Sequence, residues 1–273
     1  MILPSYPFTI TDIQSRIEKI KNLPLSNFAS DKDAIRFALN CIDLTTLEGN
    51  DHTKKIEQLC ENAIQYQTAA VCVYPVFVKQ AKQLLQNTSI KVASVAGAFP
   101  AGQSPIEVKV AEVEYAVEQG ADEIDLVISR GFFLEEKYQT VFNEIAAIKK
   151  ACHDAHLKVI LETGELLEPE LIYKASLLAM YAGADFIKTS TGKIAINATP
   201  EAFLVMLDAI DLFYNKTKKK IGIKPAGGIT DIDTTLLYLK LLENTLNTNW
   251  LSNNLWRIGA SRLASHLFNY IKN

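Results

Sequence analysis

Residues 183–193, GADFIKTSTGK, carry the reading on which the fold turns. The core of this stretch, DFIKTS, is a short apolar run that follows a glycine and gives way to polar residues, as a buried strand of a parallel sheet does. Successive side chains of a strand point to opposite faces, so Ile187 and Lys188 face opposite ways. With Ile187 packed outward against helices, Lys188 points into the interior. A cation is costly there unless it is paired or loses its proton.

Similar runs recur along the chain: ALNCIDLT from Ala38, AAVCVYP from Ala69, IKVASVAGAFP from Ile90 and DEIDLVIS from Asp122. LKVILETG from Leu157, IGIKPAGG from Ile221 and LWRIGAS from Leu255 bring the total, with DFIKTS, to eight expected strands. Between them lie stretches such as HTKKIEQLCENAIQYQ and IEVKVAEVEYAVEQGA, whose apolar residues return every three to four positions, the period of an amphipathic helix. Eight alternating units predict an α/β fold, a (β/α)₈ TIM barrel that closes without an exposed edge. A doubly wound open sheet is the alternative. An extra N-terminal helix is expected near TDIQSRIEKIKNL, and no linker or change of composition divides the chain, so residues 1–273 are read as one barrel domain.

Strand parity then sorts the interior. In IGIKP, Ile221 and Ile223 face the helices, which leaves Gly222 and Lys224 inside; in DEIDLVI, Ile124, Leu126 and Ile128 share the outer face, so Asp125 points inward. In CIDLT, Ile42 and Leu44 oppose Cys41 and Asp43. Asp43, Asp125, Lys188 and Lys224 therefore converge toward the end of the barrel where such enzymes place their chemistry. One inward lysine alone reads equally well as a structural ion pair, and Asp43 alone as a loop cap. Two lysines with two carboxylates read as reactive. A free lysine is only about 0.04% neutral at pH 7, and making it titrate near 7 takes about 4.6 kcal/mol. A second cation about 4 Å away supplies about 4 kcal/mol at an effective dielectric near 20. Such a pair yields one neutral amine, a nucleophile toward carbonyls, beside one retained cation. A carboxylate such as Asp125 can move the protons.

A second signal is phosphate recognition. KPAGGIT puts Gly227 and Gly228 after the seventh strand, and RIGASR puts Gly259 and Ser261 at the end of the eighth. Barrels hold phosphate at these two loops through backbone N–H groups and a helix N-terminus. Lys193, after the sixth strand, is a candidate additional cation. Tight turns alone would also explain the glycines. On the residues alone, a pyridoxal-phosphate enzyme, a phosphosugar isomerase, a noncatalytic phosphosugar-binding barrel and an aldolase of other specificity remain alternatives.

Composition excludes several classes. The chain has 273 residues, 48% of them hydrophobic, with a formal charge of −3 and an isoelectric point near 5.9. This balance offers no field to gather nucleic acid. No apolar run approaches the roughly 18 residues a membrane span needs, and the N-terminus lacks the pattern of a signal peptide, so a cytoplasmic protein without membrane contact is expected. The four cysteines, Cys41, Cys60, Cys72 and Cys152, show no CxxC spacing and read as reduced. His153 and His156 read as a solvated helix end, KTKKK at 216–220 as a solvated loop, and Cys72 as a packed thiol. No residue set reads as a metal site.

Taken together, the segments CIDLTTLEGND, AAVCVYP, GADEIDLVIS, LKVILETGEL, GADFIKTSTGKIAINATPE, IGIKPAGGI and RIGASRL resemble the deoxyribose-phosphate aldolase family, class I aldolases on a (β/α)₈ barrel. The resemblance spans nearly the whole chain, and GADFIKTSTGK and KPAGG are its most specific parts. It implies retro-aldol cleavage of 2-deoxy-D-ribose 5-phosphate in deoxynucleoside breakdown, with no metal or organic cofactor. By this resemblance Lys188 forms the Schiff base, Asp125 donates and accepts protons, and Lys224 perturbs Lys188 and shares in proton transfer. Gly227, Gly228, the GAS segment and Lys193 would hold the phosphate, with Asp43 counted among the substrate-side residues. The family implies a monomer or homodimer. Two departures stand out: Arg262 replaces a serine that follows GAS in many relatives, and Tyr270, near the chain end, is expected on the last helix rather than in the active site.

Overall fold

The computed structural model describes residues 3–246 and 248–272. Eight parallel strands are present: β1 (Ile42–Thr45), β2 (Ala70–Val73), β3 (Lys91–Ala96), β4 (Glu123–Val127), β5 (His156–Ile160), β6 (Phe186–Lys188), β7 (Gly222–Lys224) and β8 (Ile258–Ala260). They are hydrogen-bonded in the order β7-β6-β5-β4-β3-β2-β1-β8. The ring closes between β7 and β8 through parallel bridges Ile223–Trp256 and Ala226–Gly259. The Arg257 N–H donates to the Ile223 carbonyl at 3.1 Å, and the Gly259 N–H to that of Pro225 at 2.9 Å. Each strand is followed by a helix, the longest being Pro200–Thr217 after β6. This is the closed barrel and not the open sheet.

Burial follows parity. Ile124, Leu126, Ile187, Ile223 and Ile258 lie in the continuous apolar layer between the strands and the helices. The interior holds a small apolar cluster of Leu47, Cys72, Ala93 and Val95 on one side. Beside it stand the ionisable residues of β4 to β7, Val95 being the register partner of Asp125 across β3 and β4. Phe186 fills the interior beside Gly222, where an added Cβ would meet the Phe186 ring at 2.2 Å. That position therefore has no room for a side chain.

Two helices precede β1. Ile10–Lys21 is capped by Thr9, whose side chain accepts from the Asp12 N–H while the Asp12 carboxylate accepts from the Thr9 N–H. The second, Asp31–Leu39, corrects the sequence reading, which begins the first strand at Ala38. Ser30 caps it by accepting from the Asp33 N–H, and Ala34, Ile35, Ala38 and Leu39 form its buried face, a helical rather than alternating spacing. The first packs against the helices Pro200–Thr217 and Ile232–Leu246, and the second against Ile232–Leu246 and Leu263–Lys272. Among the described residues, no helix is long and apolar enough to cross a membrane.

Candidate active site

Register decides which inward side chains meet. Across β4 and β5 Asp125 pairs with Lys158, and across β6 and β7 Lys188 pairs with Lys224. All four are buried: Lys188 is 3% exposed and the other three 0%. Asp125 Oδ2 accepts from both Lys188 Nζ (2.7 Å) and Lys224 Nζ (2.8 Å), while Oδ1 accepts from Lys158 Nζ at 3.1 Å. Lys224 Nζ also lies 2.6 Å from Asp43 Oδ2, an ion pair whose orientation falls short of a hydrogen bond. Gly259 makes room for the Lys224 stem, since a Cβ there would come within 3.1 Å of Lys224 Cε.

The cluster extends beyond these four. Lys158 is also paired with Glu123, and lies 3.5 Å from Asp43 Oδ2. Arg257 joins the same two carboxylates, with Nη1 2.7 Å from Asp43 Oδ1 and Nη2 2.9 Å from Glu123 Oε1. Three carboxylates, Asp43, Glu123 and Asp125, thus face Lys158, Lys224 and Arg257. These six charges cancel. Lys188 is the one member whose proton is not needed for neutrality, so in a medium that penalises net charge it is the proton most easily lost.

The individual titrations follow the same balance. Burial pulls Lys188 below the ordinary lysine value and Lys224's charge adds to the fall, against the attraction of Asp125. Burial acts on Lys224 too, but Asp125 and Asp43 outweigh it and raise that amine. Lys158 is raised in the same way, against burial, by Asp125, Glu123 and Asp43. Burial alone would raise Asp125 and Asp43; the surrounding cations outweigh it and hold both carboxyls below the usual range. The site therefore contains a lysine biased toward the free amine, touching a firmly ionised carboxylate that also touches a firmly protonated lysine. A free amine adds to carbonyl carbons, and the shared carboxylate oxygen links the two amines for proton movement. Cys72, buried nearby, has its thiol pushed up to about 11 by burial and is a packing residue.

Lys188 opens into a cleft of about 180 Å³ formed by the loops after β1, β6, β7 and β8. Lys193, Gly227, Gly228, Gly259, Ser261 and Arg262 all line it. Gly227 and Gly228 have φ of +77° and +80°, a left-handed pair that glycine adopts readily, and the Gly227 N–H donates to the Gly259 carbonyl at 3.4 Å. The β6 loop is held from behind by Glu162, which is fully buried. Its carboxylate accepts from the Thr191 N–H (3.1 Å), the Thr191 hydroxyl (2.5 Å) and Arg130 Nη1 (3.2 Å). Glu162 itself has φ +58°, a strained backbone for a non-glycine residue.

The structure brings Lys188, Asp125 and Lys224 together and sets Lys193, Gly227, Gly228, Gly259 and Ser261 around one cleft. Asp43, like Asp125 and Lys224, lies beneath that cleft and is enclosed by Lys224, Lys158 and Arg257. Tyr270 stands on the Leu263–Lys272 helix and is 39% exposed. Lys158, Glu123 and Arg257 were not singled out from sequence. The signal was available: Lys158 alternates with Leu157 and Val159, Glu123 with Ile124, and Arg257 with Trp256 and Ile258, the parity that exposed Lys188.

Comparison with known proteins agrees with this architecture. The sequence pattern of the DeoC/LacD family aldolases matches residues 37–242. The deoxyribose-phosphate aldolase of Homo sapiens is 46% identical over 249 residues, covering 84% of this chain and 78% of that protein. That of Agrobacterium fabrum is 43% identical over 244 residues, covering 88% of this chain and 92% of that protein. Among solved structures, the tetrameric deoxyribose phosphate aldolase of Aeropyrum pernix matches with a TM-score of 0.72 at 26% identity, covering 97% of this chain and 99% of the other.

Proposed function

Because the chain belongs to the DeoC/LacD family of aldolases, we propose that it cleaves 2-deoxy-D-ribose 5-phosphate reversibly to D-glyceraldehyde 3-phosphate and acetaldehyde. In this reading residues 1–273 act as one cytoplasmic barrel domain in deoxyribose phosphate breakdown. Lys188 Nζ adds to C1 of the open-chain aldehyde, and loss of water gives an iminium. Asp125, the ionised carboxylate, takes up the proton released from the C3 hydroxyl, with Lys224 as the acid that shares its oxygen. The C2–C3 bond breaks and its electron pair enters the iminium, giving an enamine and free D-glyceraldehyde 3-phosphate. Protonation of the enamine at C2 and hydrolysis of the resulting iminium release acetaldehyde and restore the amine. The lysine iminium is itself the electron sink, so the reaction calls for neither a metal nor an organic cofactor. The phosphate would sit at the Gly227–Gly228 turn, on the Gly228 N–H, with Ser261, Lys193 and Arg262 at its edge.

The observation that carries this reading is the single Asp125 oxygen shared at 2.7 and 2.8 Å by an amine inclined to be neutral and one inclined to be charged. Borohydride reduction in the presence of acetaldehyde, followed by peptide mass spectrometry, tests it. An ethyl group on Lys188 is the expected result. Active enzyme that yields no adduct would remove the covalent mechanism, and an adduct on Lys224 would exchange the roles of the two lysines.

A further inference from the structure

The cleft is lined by the Lys188 amine, by two cationic side chains, Lys193 and Arg262, and by one carboxylate, Glu48. That carboxylate is not idle. Lys193 Nζ donates to Glu48 Oε1 at 3.0 Å, joining the loop after β6 to the loop after β1 across 145 positions of sequence. The Glu48 backbone is fixed, because its N–H donates to Asp51 Oδ2 at 3.0 Å and its carbonyl accepts from the Asp51 N–H at 3.0 Å. Asp51 is itself pinned, accepting from the Thr46 hydroxyl at 2.8 Å and lying 2.6 Å from Lys55 Nζ. The Glu48 side chain beyond this anchor is 61% exposed and that of Lys193 is 27% exposed. Glu48 is therefore a free arm on a fixed base, directed at the one cation of the β6 loop that reaches the cleft.

We propose that Glu48 is an anion gate: its carboxylate occupies Lys193 in the free enzyme, and the substrate phosphate must displace it. The inference rests on the phosphate reading of the cleft given above. An exposed single-pronged pair is weak enough to open on binding. A phosphate near two negative charges outcompetes one carboxylate for Lys193, whereas a singly charged acid gains nothing that Glu48 does not already supply. The gate thus makes Glu48 a specificity-determining residue that favours dianionic phosphosugars over aldehyde acids of lower charge.

Steady-state kinetics with 2-deoxyribose 5-phosphate and with unphosphorylated 2-deoxyribose test this in wild type, Glu48→Gln, Lys193→Gln and the double variant. Glu48→Gln is expected to lower KM for the phosphorylated substrate by about fivefold, the upper range for an exposed pair, without changing kcat/KM for 2-deoxyribose. In the Lys193→Gln background the same substitution should leave KM unchanged. The proposal is overturned if Glu48→Gln leaves KM unchanged or raises it, moves both substrates alike, or lowers KM equally without Lys193. The wild-type comparison reports on the underlying reading separately: an enzyme that does not prefer the phosphorylated sugar has no phosphate site here, and the gate falls with it.

Discussion

Replacing Lys224 with methionine removes a charge while keeping most of the side-chain volume, and it isolates the electrostatic link between the two lysines. Their amines share Asp125 Oδ2 at 2.7 and 2.8 Å, so they lie within about 5.5 Å of each other. At an effective dielectric near 20, the repulsion at that distance is about 3 kcal/mol, about a 150-fold change in the neutral fraction of Lys188. The sign follows from the neighbours. Lys224 lowers the Lys188 pKa, so its loss raises it, and Asp125 is left with one counter-charge fewer to share. Turnover would confuse this effect with lost proton transfer, so imine formation should be followed alone, by timed borohydride quenching with acetaldehyde and quantitation of the Lys188 peptide. At pH 7 the variant should label about a hundredfold more slowly than wild type, and the deficit should close as pH rises, with the half-maximal rate displaced upward by about two pH units. A labelling rate within threefold of wild type at pH 7 would refute the reasoning. So would a deficit that persists at high pH, because the amine would then be failing for a reason other than its proton.

Two other outcomes are expected. Asp125→Asn removes the base but also the charge that holds a proton on Lys188; kcat should fall by about 10²- to 10⁴-fold while borohydride still labels Lys188, and parallel loss of labelling and turnover would contradict the assignment. Gly222→Ala sets a methyl group 2.2 Å from the Phe186 ring and should destabilise the fold by about 1–3 kcal/mol, read as a lower urea midpoint; an unchanged midpoint would mean that Phe186 moves aside freely.

Much of this protein was legible one strand at a time. Alternation is a local property, so the sequence by itself determined eight βα units and the inward direction of Asp43, Asp125, Lys188 and Lys224. The same rule, applied to LKVI, DEID and WRIG, would have turned Lys158, Glu123 and Arg257 inward as well. It could not say what they meet. Lys158 lies 33 positions from Asp125, and Arg257 lies 214 from Asp43, and such pairs are fixed by strand register and barrel closure. Only the tertiary structure decided that Asp43 is enclosed by three cations, and that Glu48 reaches Lys193. It also decided the charge count that leaves Lys188 the dispensable proton. The physical reason is range: side-chain direction is set by each residue's own backbone, whereas the field at Lys188 is summed over six charges delivered by four different strands and the segment leading into β8.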